Sequence, residues 1–275
     1  TAPTLISIIP APDGQAGWHI SPVGVDIRGS DATSGIRLAQ VRAGATGAWQ
    51  DGGLTLTREG VTGLEFQVQD NAGNLVTAAG TVRLDLGDPT LTITHHGSPG
   101  TNLWLRSPVH VSATATDAVS GVKDLQWRLA GQAWQSGPVP PLTADGTQVV
   151  EFRAGDQAGR ETRRKLVVRI DQTAPTLAPR VNGTPGLNGW YVSPVTLQAN
   201  AADATAGIAA VVPAAELSLS ADGTHTIHWT AWDLAGNSTA AASRVQIDQT
   251  PPAVAFDEPA GPLVGTVTLT GRAAD

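Results

Sequence analysis

The chain of 275 residues has no Cys and no Met, and Lys occurs only at Lys123 and Lys165. Without Cys its folds stand without disulfides. With so little Lys, a Lys–Asn isopeptide staple is excluded from the first and third thirds of the chain. No apolar stretch approaches the ~18 residues of a membrane helix, so no membrane span is expected in this segment. There is no initiator Met and no signal-type leader, which predicts an interior segment of a longer, processed protein. The only basic run is Arg163-Arg164-Lys165, expected to solvate one face of a strand. Together with a net charge of −7 this argues against a nucleic-acid or anionic-membrane partner. Gly-x-Ser-x-Gly, a phosphate loop and His-Glu-x-x-His are all missing, and no enzyme activity is expected.

What is present is repetition. Trp-x-x-Ser-Pro occurs at Trp18–Pro22, Trp104–Pro108 and Trp190–Pro194, 86 residues apart. Asp-x-x-x-Gly-(Ile/Val) follows in step at Asp31, Asp117 and Asp203, then Asp-x-Ala-Gly at Asp70, Asp156 and Asp233. Each repeat reaches a further Asp (Asp85, Asp171, Asp248) before a Pro-bearing connection. Fixed spacing of this kind marks a tandem array of one structural unit. The expected domains are residues 1–86, 87–172 and 173–249, with 250–275 an incomplete fourth repeat. The third is shortened: 30 residues separate Asp203 from Asp233, against 39 for the corresponding pairs before it. The missing piece is a central hairpin around Ala43–Trp49 and Ala130–Trp134. The short connections carry Pro and predict a stiff array.

The 31 Gly and 19 Pro leave no room for long helices. Between them lie β-type runs: Thr4–Ile9, Val23–Ser30, Ile36–Ala43 and Leu75–Leu84 in the first repeat. Leu64, Phe66 and Val68 form an inward face, and the large core position recurs as Phe66, Phe152 and Trp229. In the tail, Thr266–Arg272 has strand alternation, and Asp275 falls where Asp117 and Asp203 fall. Such a two-stranded stub is marginal alone, so its open edges are expected near a contact with another chain. About seven strands per repeat predict an all-β fold, a tandem array of immunoglobulin-like antiparallel β-sandwiches.

Gly189-Trp-Tyr-Val-Ser-Pro194, Asp117-Ala-Val-Ser-Gly-Val122, Asp70-Asn-Ala-Gly-Asn74 and Asp171-Gln-Thr-Ala-Pro175 carry a family resemblance over the whole chain. The chain resembles the bacterial immunoglobulin-like tandem repeats of large extracellular surface proteins. The resemblance implies an extracellular or cell-surface location and a non-catalytic structural or adhesive role: a segment of a stalk, fibre or surface layer, as a polymer or within a longer chain. It names no ligand. The expected partners are neighbouring copies or further repeats. A rival reading makes these domains carbohydrate-binding accessories of a surface protein or secreted glycosidase, with Trp49 and Trp134 as a glycan platform and surface carbohydrate as partner.

The up-and-down strand order brings Asp85, Asp117 and Asp156 to the first junction, and Asp171, Asp203 and Asp233 to the second. Three carboxylates with nearby carbonyls suit calcium, so two strong sites are expected if calcium binds; no other cofactor is required. The competing reading makes these Asp residues turn formers. Trp18, Trp104 and Trp190 are candidates for junction packing, or else lids on their own cores. His225 and His228 sit three apart on a strand, which turns them to opposite faces and disfavours metal binding; His95-His96 has the same defect. Asn182-Gly-Thr and Asn237-Ser-Thr fit the glycosylation pattern.

Overall fold

The computed structural model describes residues 1–257, 261 and 264–274. The described residues form strands and connections, with no helix among them. The chain divides into two compact units. One comprises Thr1–His96, Val109–Leu142 and Thr147–Val168; the other comprises Gly97–Pro108, Thr143–Gly146 and Arg169–Asp275.

In the first unit, one sheet carries Thr4–Ile8, Val23–Ser30 and Gly53–Leu56, with Val23–Ser30 in the middle. The facing sheet orders Gln50–Asp51, Ile36–Ala43, Gly60–Asp70 and Leu75–Leu84. All pairings between these strands are antiparallel. Alternation in Val23–Ser30 turns Val23, Val25 and Ile27 inward against Leu64, Phe66, Val68, Val82 and Leu84. This is a sandwich core, built from the strands that the alternation predicts.

The same unit holds most of a second sandwich. Val122–Leu129 pairs with Gly146–Asp156, and Thr90–His96 pairs with His110–Thr116. His96 lies opposite His110 in that register, and their rings stack with centroids 5.2 Å apart. Here the second sandwich departs from the first. Val23–Ser30 gains a further partner in Gly53–Leu56, but His110–Thr116 has none on that side beyond an isolated bridge between Val109 and Leu142. The segment alongside reads Gly137-Pro-Val-Pro-Pro-Leu142, and Pro has no N–H to give to a ladder. It runs beside the strand edge and leaves a cavity of about 430 Å³, lined by no titratable side chain.

The second unit contains a complete third sandwich. Thr176–Asn182, Val195–Ala202 and Glu216–Leu219 make one sheet. Trp190–Tyr191, Ser238–Ile247, Gly223–Asp233 and Ile208–Val212 make the other, in that order. Trp229 fills the centre at 0% exposure, and its indole N–H donates to the Ser243 hydroxyl. Only three residues separate Val212 from Glu216, so the extra two-residue strand of the first sandwich has no counterpart among the described residues. The hairpin is shortened while the core strands persist.

A bulge recurs at one position in all three sandwiches, between Ile36 and Leu38, Val122 and Asp124, and Ile208 and Ala210. It re-aims the strand directly after the Asp-x-x-x-Gly turn.

The tail differs from the sequence expectation. Ala253–Phe256 pairs with Gly271–Ala274, so the second strand begins five residues later than the Thr266–Arg272 reading placed it. Val267 and Leu269, the inward set of that reading, are exposed, with no facing sheet among the described residues to bury them. Asp275 lies outside the described residues.

Candidate functional site: the aspartate junctions

The Asp-x-x-x-Gly motif is a turn. Asp117 Oδ1 accepts hydrogen bonds from the amides of Val119 and Gly121, and Asp203 Oδ1 accepts from Thr205, Ala206 and Gly207. Asp31 does the same for Thr33, Ser34 and Gly35. The Gly closes each turn in the left-handed region, at φ of 76°, 81° and 82°. One oxygen of each Asp is thereby spent on backbone amides.

The Asp-x-Ala-Gly motif is a hairpin turn. Asp156 Oδ1 accepts from the amides of Gly159 and Arg160, and Asp233 Oδ1 from that of Asn237. The linker Asp joins the two turns. Asp85 Oδ2 accepts from the amide of Ser120, and Asp171 Oδ2 from that of Ala206.

These connections converge. One carboxylate oxygen each from Asp85, Asp117 and Asp156 lie within 4.8 Å of one another, and so do those of Asp171, Asp203 and Asp233. The linker and hairpin members are buried; Asp117 and Asp203 are half-buried. All six Asp residues singled out from sequence are thus brought together, in two sets of three. Burial pushes Asp171 above the usual carboxylate range; a hydrogen bond from Thr173 opposes this, and the charges of Asp203 and Asp233 add to it.

Beside each Asp triple, a loop of the preceding repeat docks. The amide of Gln15 donates to the carbonyl of Ala158 at 2.7 Å, and that of Thr101 to Ala235 at 2.9 Å. Lys123 Nζ reaches Gln15 Oε1, while Thr101 Oγ1 and Asn102 Nδ2 both reach the Leu234 carbonyl. Ala158 and Ala235 are 0% exposed under these loops, whereas Ala72, at the same place in the first sandwich, is exposed. Gly is required where the backbones meet: a Cβ on Gly14 would sit 2.6 Å from the Ala158 carbonyl oxygen, and one on Gly100 would sit 2.3 Å from that of Ala235.

The connection itself is clasped. Asp145 accepts from the Gln172 amide and the Thr173 hydroxyl, and Asp222 from the Gln249 amide and the Thr250 hydroxyl. At the corresponding place of the first connection Glu59 Oε1 accepts from the Leu86 amide alone. The Thr250 and Gln249 bonds hold the Asp222 carboxyl below its ordinary range.

The Trp residues divide by role. Trp18 is buried, and Arg83 lies 5.9 Å over its ring. Trp104 and Trp190 are half-buried and pair in parallel with Arg169 and Gln246 of the last strands of their own repeats. The residues just before them in the same loop, Gln15 and Thr101, make the contact with the next repeat. Trp49 and Trp134 are half-buried, and guanidinium groups lie over them: Arg42 at 4.6 Å from Trp49, and Arg128 and Arg153 at 4.4 and 4.6 Å from Trp134. His225 is half-buried and His228 exposed, in keeping with opposite faces. Asn237, read from sequence as a glycosylation acceptor, turns its side-chain amide to Asp233 Oδ2 and to the carbonyls of Asp171 and Thr173.

Sequence reasoning missed the docking loops, the Asp145, Asp222 and Glu59 clasps and the Arg–Trp stacks. The docking carried one signal, the Gly four residues before each Trp of Trp-x-x-Ser-Pro.

No family model and no curated protein matches the chain. Solved structures do match. One is a tetra-tandem repeat from the extending region of a large adhesion protein, at 16% identity over 94% of this chain and 78% of that one, with a TM-score of 0.32. Another is the Ca2+-stabilised adhesin of an ice-binding Antarctic bacterium, at 15% identity over 94% and 77%, with a TM-score of 0.30. The fibronectin(III)-like modules of Clostridium thermocellum CbhA match at 14% identity over 60% and 94%, with a TM-score of 0.30. These neighbours are repeat, adhesion and structural domains. Likeness at this level carries no argument about function, and the fold class rests on the strand order described above.

Proposed function

We propose that the chain is a non-catalytic, extracellular structural segment of a stalk, fibre or surface layer. One observation carries this reading: the same docking of loop on Ala turn occurs twice, at matching positions, with both Ala residues fully buried. A repeated junction whose acceptors are mostly backbone carbonyls serves spacing and stiffness rather than chemistry. The exposed Ala72 turn and the exposed Leu187, which holds the place of Gln15 and Thr101, are the two unused halves of such a junction. They support further repeats of the same kind as the partners.

In this reading a hard divalent cation, calcium, stiffens the array where an Asp triple holds it. The donors are carboxylate oxygens, which suit such an ion. Asp156 supports the fit directly, because it is fully buried and its Oδ2 has no hydrogen-bond partner. An ionised oxygen in that position costs free energy unless a cation or donor meets it. When bound, the ion would neutralise the charge gathered at the junction; the chain's own turns and linker hold the carboxylates in place.

Antibodies raised against residues 1–275 test the location. They should label intact cells of the source organism, and mild protease shaving should remove the label. Labelling that needs permeabilised cells would overturn the proposal.

A further inference from the structure

Resting on the cation reading above, we infer that the two Asp triples are not equivalent: Asp85, Asp117 and Asp156 take the cation, while at Asp171, Asp203 and Asp233 the side-chain amide of Asn237 stands in its place.

The difference arises at one position, four residues after the hairpin Asp. In the third sandwich that residue is Asn237. Its Nδ2 donates to Asp233 Oδ2 at 2.9 Å and to the carbonyls of Asp171 and Thr173 at 3.0 and 3.2 Å. A two-proton donor therefore sits against a carboxylate of the triple and ties it to the linker backbone, in the manner of a bound cation. The first sandwich, which forms no triple among its described residues, uses the same device: Asn74 Nδ2 donates to Asp70 Oδ2 at 2.7 Å and to the Thr1 carbonyl at 3.2 Å.

In the second sandwich the residue is Arg160. Its longer side chain leaves the turn. Nε donates to Asp88 Oδ1 at 2.8 Å, and Nη1 donates to the Ile20 carbonyl at 3.2 Å. Asp156 Oδ1 keeps its two amides, but Asp156 Oδ2 is left buried without a donor. The positive charge that could have answered it is committed to Asp88, so the answer must come from solution. A small hard cation is the species that several carboxylate oxygens select. The same three Asp motifs in the same order at both junctions predict two like sites; the residue beside the hairpin Asp separates them.

Calorimetric titration of calcium into residues 1–275, stripped with chelator, tests this. One site is expected. Asp156→Asn should abolish it, and Asp233→Asn should leave it intact. Arg160→Asn, which installs the capping residue of the sister repeats, should weaken it by at least about tenfold, the scale of losing correct support around a metal ligand. Asn237→Ala should expose a second site. Far-ultraviolet circular dichroism of each variant establishes that the sandwiches remain folded, and Arg160→Asn installs the residue that both sister repeats, at Asn74 and Asn237, already carry there. Two equal sites in the unaltered chain would overturn the inequivalence while leaving the cation reading intact. So would a single site lost with Asp233→Asn and kept with Asp156→Asn. Absence of any calcium binding at millimolar concentration would overturn the cation reading itself.

Discussion

Gly14→Ala isolates the junction from the sandwiches it joins. The added Cβ would lie 2.6 Å from the Ala158 carbonyl oxygen and 2.9 Å from both the Trp18 carbonyl oxygen and Ile20 Cγ2. Two of the three obstacles are backbone, so no side-chain rotation clears them. Restoring ordinary contact means moving the loop by about 0.8 Å, which stretches the 2.7 Å bond from the Gln15 amide to about 3.5 Å, outside hydrogen-bond range. The net loss is about 0.5–1.5 kcal/mol for that bond. As a ratio this is about two- to tenfold in the docked population. Hydrogen exchange at the Gln15 amide and across residues 157–160 should accelerate by that factor, while the core strand Gly60–Asp70 exchanges as before. Two controls bracket the effect. Gly24→Ala places its Cβ in open space and should change nothing at the junction. Gly186→Ala meets Val192 Cγ1 at 2.8 Å, the movable end of a side chain, and should be absorbed within its own loop. If Gly14→Ala leaves residues 157–160 as protected as Gly24→Ala does, the junction is not held by this contact and the reasoning fails.

Trp229→Ala empties the largest fully buried position of the third sandwich and removes the donor to Ser243, so it should destabilise that sandwich by about 3–5 kcal/mol in urea unfolding, with no change in the transition of the second. Hydrogen bonds, from the Ser34 amide above all, hold the Asp31 carboxyl below its ordinary 3.8, so its contribution is fully present above that pH and fades as pH falls through the lower folded value; Asp31→Asn should flatten the acid limb of the urea midpoint against pH. Trp134→Ala withdraws the ring that Arg128 and Arg153 share, and should cost about 1 kcal/mol in unfolding experiments with little change in fold.

The strands were legible because half-buried strands write their period into the sequence. Val23–Ser30, Ile36–Ala43 and Leu75–Leu84 have the bounds that alternation predicts. The Asp triples were legible because topology alone decides which turns share an end. The docking was not, since its key acceptors are the carbonyls of Ala158 and Ala235, which every residue possesses. The inequivalence of the triples was hidden for a different reason: Arg160 and Asn237 follow identical motifs, and only their side-chain lengths send one outward and the other back. In the tail, alternation over Thr266–Thr270 was a true pattern without a facing sheet to make it a strand.

The proline segment beside His110–Thr116 has a consequence for the chain as it is made. Three sandwiches built on the same motifs emerge in succession, and such neighbours fail most readily by lending strands to one another before each has closed. The first sandwich completes its smaller sheet with Gly53–Leu56 and the third with Glu216–Leu219, but the second lays Pro138, Pro140 and Pro141 along the same edge. An exchange with the second sandwich would hand either neighbour a segment lacking three amide donors, at about 0.5–1.5 kcal/mol for each ladder bond forgone. Placing the strand-poor repeat between the other two therefore makes adjacent repeats poor substitutes for each other, and fidelity of pairing along the array is written into an edge that pairs only at the Val109–Leu142 bridge.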